Sequence, residues 1–147
     1  MPTPDVLTQT LTELIPILKY AGFRVTLSED EHVRTEMPLE PNRNHLGSVY
    51  AGSLVAMAEA SGGALMMQCL DITQFKVMVR HISIDYHRMA LTDVHCDLHL
   101  PDDFHDSLMK GLAEEGKAFY RLPVPVYDAE DEGVATAYLE YRLKLNA

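Results

Sequence analysis

Residues 53–70 read Ser-Leu-Val-Ala-Met-Ala-Glu-Ala-Ser-Gly-Gly-Ala-Leu-Met-Met-Gln-Cys-Leu, a segment in which small and apolar residues fill every side of a helix. A helix that has no polar stripe is normally buried, so we expect this segment to be the centre of the fold. Glu59 is its only acidic or basic residue, and Gln68 and four nearby Ser and Gly residues interrupt it further. It is therefore too polar for a membrane span, which needs roughly 18 uncharged apolar residues.

The segments on both sides of this helix have clear periodicity. Residues 5–20 place apolar residues at helical spacing, with Pro16 inside and Gly22 just beyond the end. This predicts an amphipathic helix that Pro16 kinks or splits. A period of two predicts strands, and an intervening helical segment predicts one short helix. The predicted strands are residues 23–28, 33–39, 75–88, 93–100, 117–127 and 133–145, and the short helix is residues 102–114.

This order of elements predicts an α+β fold with one long antiparallel sheet. A sheet wrapped around the apolar helix gives both elements a covered surface. A TIM barrel or a doubly wound fold would need strands that alternate with helices, and the last 70 residues do not have that pattern. The length of 147 residues suits a single domain, residues 1–147.

Composition and charge narrow the range of partners. A formal net charge of −10 without a local basic cluster makes nucleic acid and anionic membranes unfavourable partners. The N-terminus lacks the basic and apolar regions of a secretory signal, so we expect a cytoplasmic protein. Cys69 and Cys96 have no Cys-x-x-Cys spacing and lie in apolar segments, so both are expected to be reduced and inert.

The densest histidine group, His95-Cys96-Asp97-Leu98-His99, invites a metal interpretation. On a strand, His95 and His99 share one face but lie roughly 13 Å apart, too far for one tetrahedral ion. No metal is therefore expected. Nucleophile elbows and phosphate-binding glycine loops are also missing from the sequence.

The carboxylate of Glu59 needs a physical reason, because burying an unpaired charge is costly. A structural hydrogen bond would be one reason, and a catalytic base or nucleophile would be another. Gly62 and Gly63 follow at i+3 and i+4, so no side chain covers the adjacent helix face, and a substrate or a second helix can approach. The helix N-terminus near residues 50–52 offers free N–H groups to a carbonyl oxygen that gains negative charge.

The sequence resembles the hotdog-fold acyl-CoA thioesterases, especially the phenylacetate-pathway subgroup and related domains attached to some bacterial acetyltransferases. In that subgroup an Asn, a Gly and a His-Gly-Gly triplet precede the central helix, and an acidic residue follows the last Gly by seven positions. This chain has Asn44, Gly47, Tyr50-Ala51-Gly52 and Glu59 at the same spacing. The stretch 77–90 is similar to the family's next strand, which ends in a basic residue. The resemblance covers about residues 20–145.

By this resemblance, Glu59 would attack the thioester carbonyl or activate a water, Asn44 would orient that water or the carbonyl, and the Gly52 amide would polarise the carbonyl. The resemblance also implies an acyl-CoA or acyl-carrier-protein substrate and no cofactor beyond the coenzyme A moiety of the substrate. It further implies a homodimer or dimer of dimers with the site between subunits. The residues expected to contact substrate are Gly47, Tyr50, Ala51, Gly62, Gly63 and Arg88.

Two departures keep other functions open. Tyr50-Ala51 replaces the usual His-Gly, and Gly63 stands where some relatives have Ser or Thr. One alternative is a non-catalytic domain that binds acyl thioesters or lipids. Another is an enoyl-CoA hydratase or dehydratase, for which His45 is the only nearby histidine. In a third, the protein is a structural subunit in which Glu59 makes a buried hydrogen bond.

Overall fold

The structure is a computed structural model that describes residues 1–147. The predicted α+β architecture is confirmed: a six-stranded antiparallel sheet wraps around one long helix. The helices are α1 (Pro4–Leu14), α2 (Pro16–Ala21), α3 (Ala51–Cys69) and α4 (Phe104–Glu115), with a short 3-10 helix over Glu40–Asn42. The strands are β1 (Arg24–Glu29), β2 (His32–Met37), β3 (Phe75–Tyr86), β4 (Val94–His99), β5 (Ala118–Asp128) and β6 (Gly133–Leu145).

The N-terminal helix is split before Pro16, as the sequence predicts. Thr3 caps α1 by accepting a hydrogen bond from the Val6 N–H at 3.3 Å. Ile15, with φ of −128°, leaves the helical conformation, and Pro16 then begins α2. Pro16 suits the first position of a new helix because it has no N–H to leave unpaired. Gly22 ends α2 in the left-handed conformation at φ +74°.

The sheet has the strand order β1-β2-β4-β5-β6-β3, and every adjacent pair is antiparallel. The pairing between β4 and β5 is confined to Val94 with Asp128 and His95 with Tyr127. Pro123 and Pro125 lie in β5 and lack the N–H that a longer ladder would need. The sheet therefore consists of two well-paired halves that fold over α3 from either side.

The hydrophobic core lies between the inner face of this sheet and α3, and it forms one cluster of 33 buried residues. The expectation that α3 is buried on every side is wrong along one stripe. Residues spaced three or four apart on that stripe retain partial exposure, because the sheet curves around the opposite side of the helix. The stripe consists of Gly52, Ala56, Glu59, Gly63 and Met67. Glu59 therefore lies on the least covered face of the central helix.

Strand β3 forms one edge of the sheet, so its outer side has no strand neighbour. It is 12 residues long, and its inward residues Val77, Val79, Ile82 and Ile84 are only half-buried. Long unpaired edges of this kind pair readily with another strand.

No helix in the structure is long and apolar enough to cross a membrane.

Candidate active site

Glu59 occupies the middle of α3 and is partly buried there. Its carboxylate makes neither an ion pair nor a side-chain hydrogen bond, although an acid in this setting would normally be paired. Burial raises the pKa of Glu59 above the ordinary value for a glutamate. The structural hydrogen bond considered as an alternative for Glu59 is thus not present.

A cavity of about 610 Å³ opens beside Glu59. Its walls come from α1, from the second half of α3, from the start of β3 and from β6, and ten of its 14 lining residues are hydrophobic. The other four are Glu59, Gly63, Lys76 and Asn146, and Tyr141, which is one of the ten, adds a phenol. The full lining is Leu11, Ile15, Glu59, Ala60, Gly63, Met66, Met67, Ile72, Phe75, Lys76, Val77, Val79, Tyr141 and Asn146. We call this space the Glu59 cavity.

The two glycines that follow Glu59 have different surroundings. A Cβ added to Gly63 would meet nothing within 4 Å, and Gly63 lines the Glu59 cavity as expected. A Cβ added to Gly62 would overlap the hydroxyl of Tyr141 and come within 2.5 Å of Leu139 Cδ1. Gly62 therefore packs against β6. The expected substrate contact of Gly62 is not supported, because a strand fills the space that a substrate was expected to use.

The N-terminus of α3 has the free N–H groups that the sequence predicts. The helix begins at Ala51, no side chain caps it, and its first bonded N–H is that of Leu54, which donates to Tyr50 O at 3.1 Å. A Cβ added to Gly52 would lie 2.5 Å from Cε2 of the Tyr50 ring, so only glycine lets that ring lie across the helix end. Tyr50 and Gly52 line a second cavity of about 410 Å³.

Asn44 organises the loop that leads into α3. Its Oδ1 accepts the N–H groups of Leu46 at 2.9 Å and Ser48 at 3.1 Å, and its Nδ2 donates to Ser48 Oγ at 2.9 Å. Gly47 completes the turn at φ +78°, a conformation that favours glycine. Asn44 lines a third cavity of about 350 Å³ together with Ala51 and Arg88. The Arg88 guanidinium lies 3.2 Å from the Glu132 carboxylate.

Seven of the nine predicted site residues are therefore divided among three cavities, and Gly47 and Gly62 line none of them. Within one chain, Glu59 and Gly63 share the first cavity, Tyr50 and Gly52 the second, and Asn44, Ala51 and Arg88 the third. The seven residues from Gly52 to Glu59 correspond to a helical rise of about 10 Å. A single chain does not bring the acid, the amide and Asn44 to one point.

Tyr141 also lines the Glu59 cavity, and it was not predicted from the sequence. Tyr141 is 2% exposed, and its hydroxyl is the one buried side-chain polar atom without a hydrogen-bond partner. Burial, and then the negative charge of Glu59, raise the pKa of Tyr141 above its ordinary value. The alternation of β6 could have placed Tyr141 on the inner face, but the sequence has no signal that this residue meets α3 beside Glu59.

A separate histidine cluster lies on the outer surface of the sheet. His99 stacks on His32 of the neighbouring strand at 3.8 Å, and both approach Asp97, so that three ligand atoms lie within 4.8 Å of one another. The spacing within residues 95–99 gives no sign of His32, because His32 lies on another strand. Arg34 donates to Asp97 Oδ2 at 2.8 Å, so the Asp97 carboxylate is already engaged by a cation. The cluster is a hydrogen-bonded network centred on Asp97, and none of its members lines the Glu59 cavity.

Both cysteines are free thiols, as expected. Burial is the largest cause of a raised pKa at each, to about 12 at Cys69 and about 11 at Cys96. Neither thiol lines the Glu59 cavity.

Comparisons with known proteins agree with this fold. A Pseudomonas aeruginosa protein of unknown function, described as a probable thioesterase, superposes with a TM-score of 0.90 at 32% identity, and the match covers 99% of both chains. A protein of unknown function from Chlorobaculum tepidum gives 0.80 at 20% identity over 98% of each chain. A thioesterase from Haemophilus influenzae gives 0.75 at 15% identity over 99% of this chain and 92% of that one. No curated protein sequence matches.

The profile of a domain of unknown function, DUF4442, matches residues 5–143, nearly the whole chain. The fold that surrounds the Glu59 cavity is thus shared with structures described as thioesterases, while the phenylacetate-pathway subgroup stays a prediction. The chain belongs to the DUF4442 family.

Proposed function

We propose that this protein hydrolyses an acyl thioester in the Glu59 cavity. The observation that carries the proposal is a partly buried carboxylate without a hydrogen-bond or ion-pair partner, at the wall of a mostly apolar cavity. An acid held in this way is available to a ligand, and burial makes it a stronger base than an exposed glutamate. The similarity to a Pseudomonas aeruginosa protein described as a probable thioesterase supports the same reaction.

Two routes use the same residues. In the first, Glu59 takes a proton from a water whose oxygen attacks the carbonyl carbon, so that a C–O bond forms and an oxyanion develops. Collapse of this oxyanion breaks the C–S bond, and the departing thiolate takes up a proton. In the second, the Glu59 carboxylate itself attacks the carbonyl carbon, and the C–S bond breaks as the thiolate leaves and takes up a proton. Water then hydrolyses the resulting anhydride, which releases the acid and restores the Glu59 carboxylate. Both routes require an ionised Glu59.

The apolar lining of the cavity suits the acyl part of the substrate. Side chains such as Leu11, Met66 and Val77 would cover a hydrocarbon chain, whereas the charged thiol carrier would stay outside. We therefore propose an acyl-CoA or acyl-carrier-protein substrate, with coenzyme A only as part of the substrate. Two free thiols, one buried and one partly buried, are consistent with a reducing compartment, which supports a cytoplasmic location.

We further propose that the site is completed by a second copy of the chain. The Glu59 cavity is lined by the first half of β3, from Phe75 to Val79, whereas the cavity of Asn44 and Arg88 lies at its other end, beside Tyr86. If two β3 edges pair antiparallel, the beginning of each strand meets the end of the other. The helix N-terminus and Asn44 of one subunit then approach Glu59 of its partner.

Release of free thiol from a panel of acyl-CoA esters of increasing chain length tests the proposal. Replacing Glu59 with Gln keeps the shape of the side chain and removes the base, so kcat/KM should fall by about 10²-fold or more. Glu114→Gln is the matched control, because Glu114 is exposed on α4 and does not line the Glu59 cavity. Equal rates for wild type and Glu59→Gln on every ester would instead favour a non-catalytic binder. Hydration of enoyl-CoA, measured in parallel, tests the hydratase alternative.

A further inference from the structure

Tyr141 has a polar group that the fold itself does not satisfy. Its hydroxyl is buried and accepts or donates no hydrogen bond within the protein. A buried hydroxyl without a partner normally destabilises a fold, because it has lost its hydrogen bonds to water. The Tyr141 side chain lines the Glu59 cavity, and its hydroxyl lies against Gly62 without contacting the Glu59 carboxylate.

The backbone of α3 makes room for this hydroxyl. Gly62 lies three residues beyond Glu59 on the neighbouring, buried face of the helix, and any Cβ there would overlap the Tyr141 hydroxyl. Glycine is less favourable than alanine inside a helix. The helix thus carries an unfavourable residue where the Tyr141 hydroxyl needs room, and the charge of Glu59 is close enough to raise the pKa of that hydroxyl.

We propose that Tyr141 is a catalytic residue whose hydroxyl donates a hydrogen bond to the carbonyl oxygen of the acyl thioester as Glu59, or a water held by Glu59, attacks the carbonyl carbon. This inference rests on the proposed function. The bond strengthens as the carbonyl oxygen becomes an oxyanion and weakens again when the C–S bond breaks, so it stabilises the transition state more than the bound substrate.

The other polar groups of the cavity are less suitable donors. Asn146 lies at the C-terminal end of the chain, and its Nδ2 already donates to Thr73 O at 2.9 Å. Lys76 is exposed on β3. The Gly52 amide of the same chain lies roughly 10 Å away along the helix. Because burial raises the pKa of Tyr141, the phenol keeps its proton at neutral pH and can donate it to a hydrogen bond.

Tyr141→Phe removes only the hydroxyl and leaves the ring that packs against the core. We expect kcat to fall by roughly 10²-fold while KM changes little. The melting temperature should stay the same or rise, since an unsatisfied buried group is lost. Tyr138→Phe is the matched control on the same strand, because Tyr138 is only partly buried and its ring packs under the Arg121 guanidinium, away from the cavity.

Wild-type kcat/KM in Tyr141→Phe would overturn the inference, as would a loss of activity that is accompanied by a lower melting temperature. These outcomes leave the proposed function intact if Glu59→Gln is inactive. The proposed function fails separately if Glu59→Gln hydrolyses as fast as wild type.

Ligand binding gives a readout besides turnover. An acyl-CoA analogue with a trifluoromethyl ketone in place of the thioester carries an oxygen that becomes anionic on addition. Tyr141→Phe should bind this analogue at least tenfold more weakly than wild type does. An S-alkyl-coenzyme A lacks the thioester carbonyl and should bind both proteins equally. Equal loss of affinity for both ligands would indicate a packing defect and contradict the inference.

Discussion

At the scale of single residues, the Glu59 carboxylate makes stability depend on pH. Its pKa is raised in the folded protein, so folding favours the protonated form. The stability of the wild type should therefore fall as pH rises from the ordinary glutamate pKa through the raised one, and it should stay lower above. Glu59→Gln cannot ionise and should lack this loss, so it should be the more stable protein at neutral pH. Urea denaturation of both proteins between pH 4 and 8 measures the difference, and a wild type that gains on the variant with rising pH would contradict it.

Gly62 and Gly63 are adjacent and should respond oppositely to alanine. Gly63→Ala adds a methyl group to open space, so stability should rise by up to about 1 kcal/mol through helix propensity, while hydrolysis slows because the methyl enters the Glu59 cavity. Gly62→Ala forces a methyl against Tyr141 and Leu139, and it should cost about 1–3 kcal/mol. Thermal unfolding and thiol release of the two variants, each serving as control for the other, test this difference. Equal effects of the two substitutions on stability would contradict the prediction, because they would show that β6 shifts to accommodate the methyl group at residue 62.

The sequence could predict Glu59 because one acid in an apolar helix stands out, and it could predict that the helix face beside it lacks side chains. It could not predict which neighbour uses that face. Whether Gly62 meets a substrate or a strand depends on how β6 is placed along α3, which is a tertiary contact between residues about 80 positions apart in the sequence. The period-two pattern of β6 is the same wherever Tyr141 falls along the helix.

At the scale of elements, the break between α1 and α2 positions the end wall of the cavity. Leu11 is buried in α1, and Ile15 at the break is 38% exposed and lines the cavity. Ile15→Trp should shorten the available space, so that kcat/KM for long acyl chains falls about tenfold while acetyl-CoA is affected less. Leu14→Trp is the control, because Leu14 is 67% exposed and outside the lining. If the dependence of kcat/KM on acyl-chain length changes equally in both variants, Ile15 does not form the end wall of the cavity.

Periodicity was sufficient for the elements themselves, since Pro16 marks the helix break and the alternation from residue 75 onward marks the last four strands. Periodicity did not predict how much of the α3 surface is covered by neighbouring elements. The composition of a helix reports how apolar its faces are, but the number of faces that neighbours cover depends on how far the sheet curves. The stripe through Glu59 and Met67 is apolar apart from the acid, and it is still half open in a single chain.

At the scale of the whole molecule, the resemblance to the thioesterases implied that Asn44, Gly52 and Glu59 share a site between subunits, and one chain by itself places these residues in separate cavities. Sequence spacing along one chain is identical whether residues meet within a subunit or across a two-fold axis, so it could not distinguish these cases. The free edge of β3 is the structural feature that favours the second case.

Complementation between two inactive variants distinguishes a site within one chain from a site shared by two chains. Glu59→Gln removes the acid, and Gly52→Pro removes the amide donor in the first turn of α3, where a lost N–H breaks no helix bond. Each homodimer should be inactive. A heterodimer purified through two different tags should regain about half of the wild-type activity, because one of its two sites combines an intact Glu59 with an intact Gly52 of the other chain. Gly52→Ala adds the same Cβ beside Tyr50 but keeps the amide, so as the control it should keep more activity than Gly52→Pro. If the acid and the amide act within one chain, every site in the heterodimer carries one lesion, and it stays inactive.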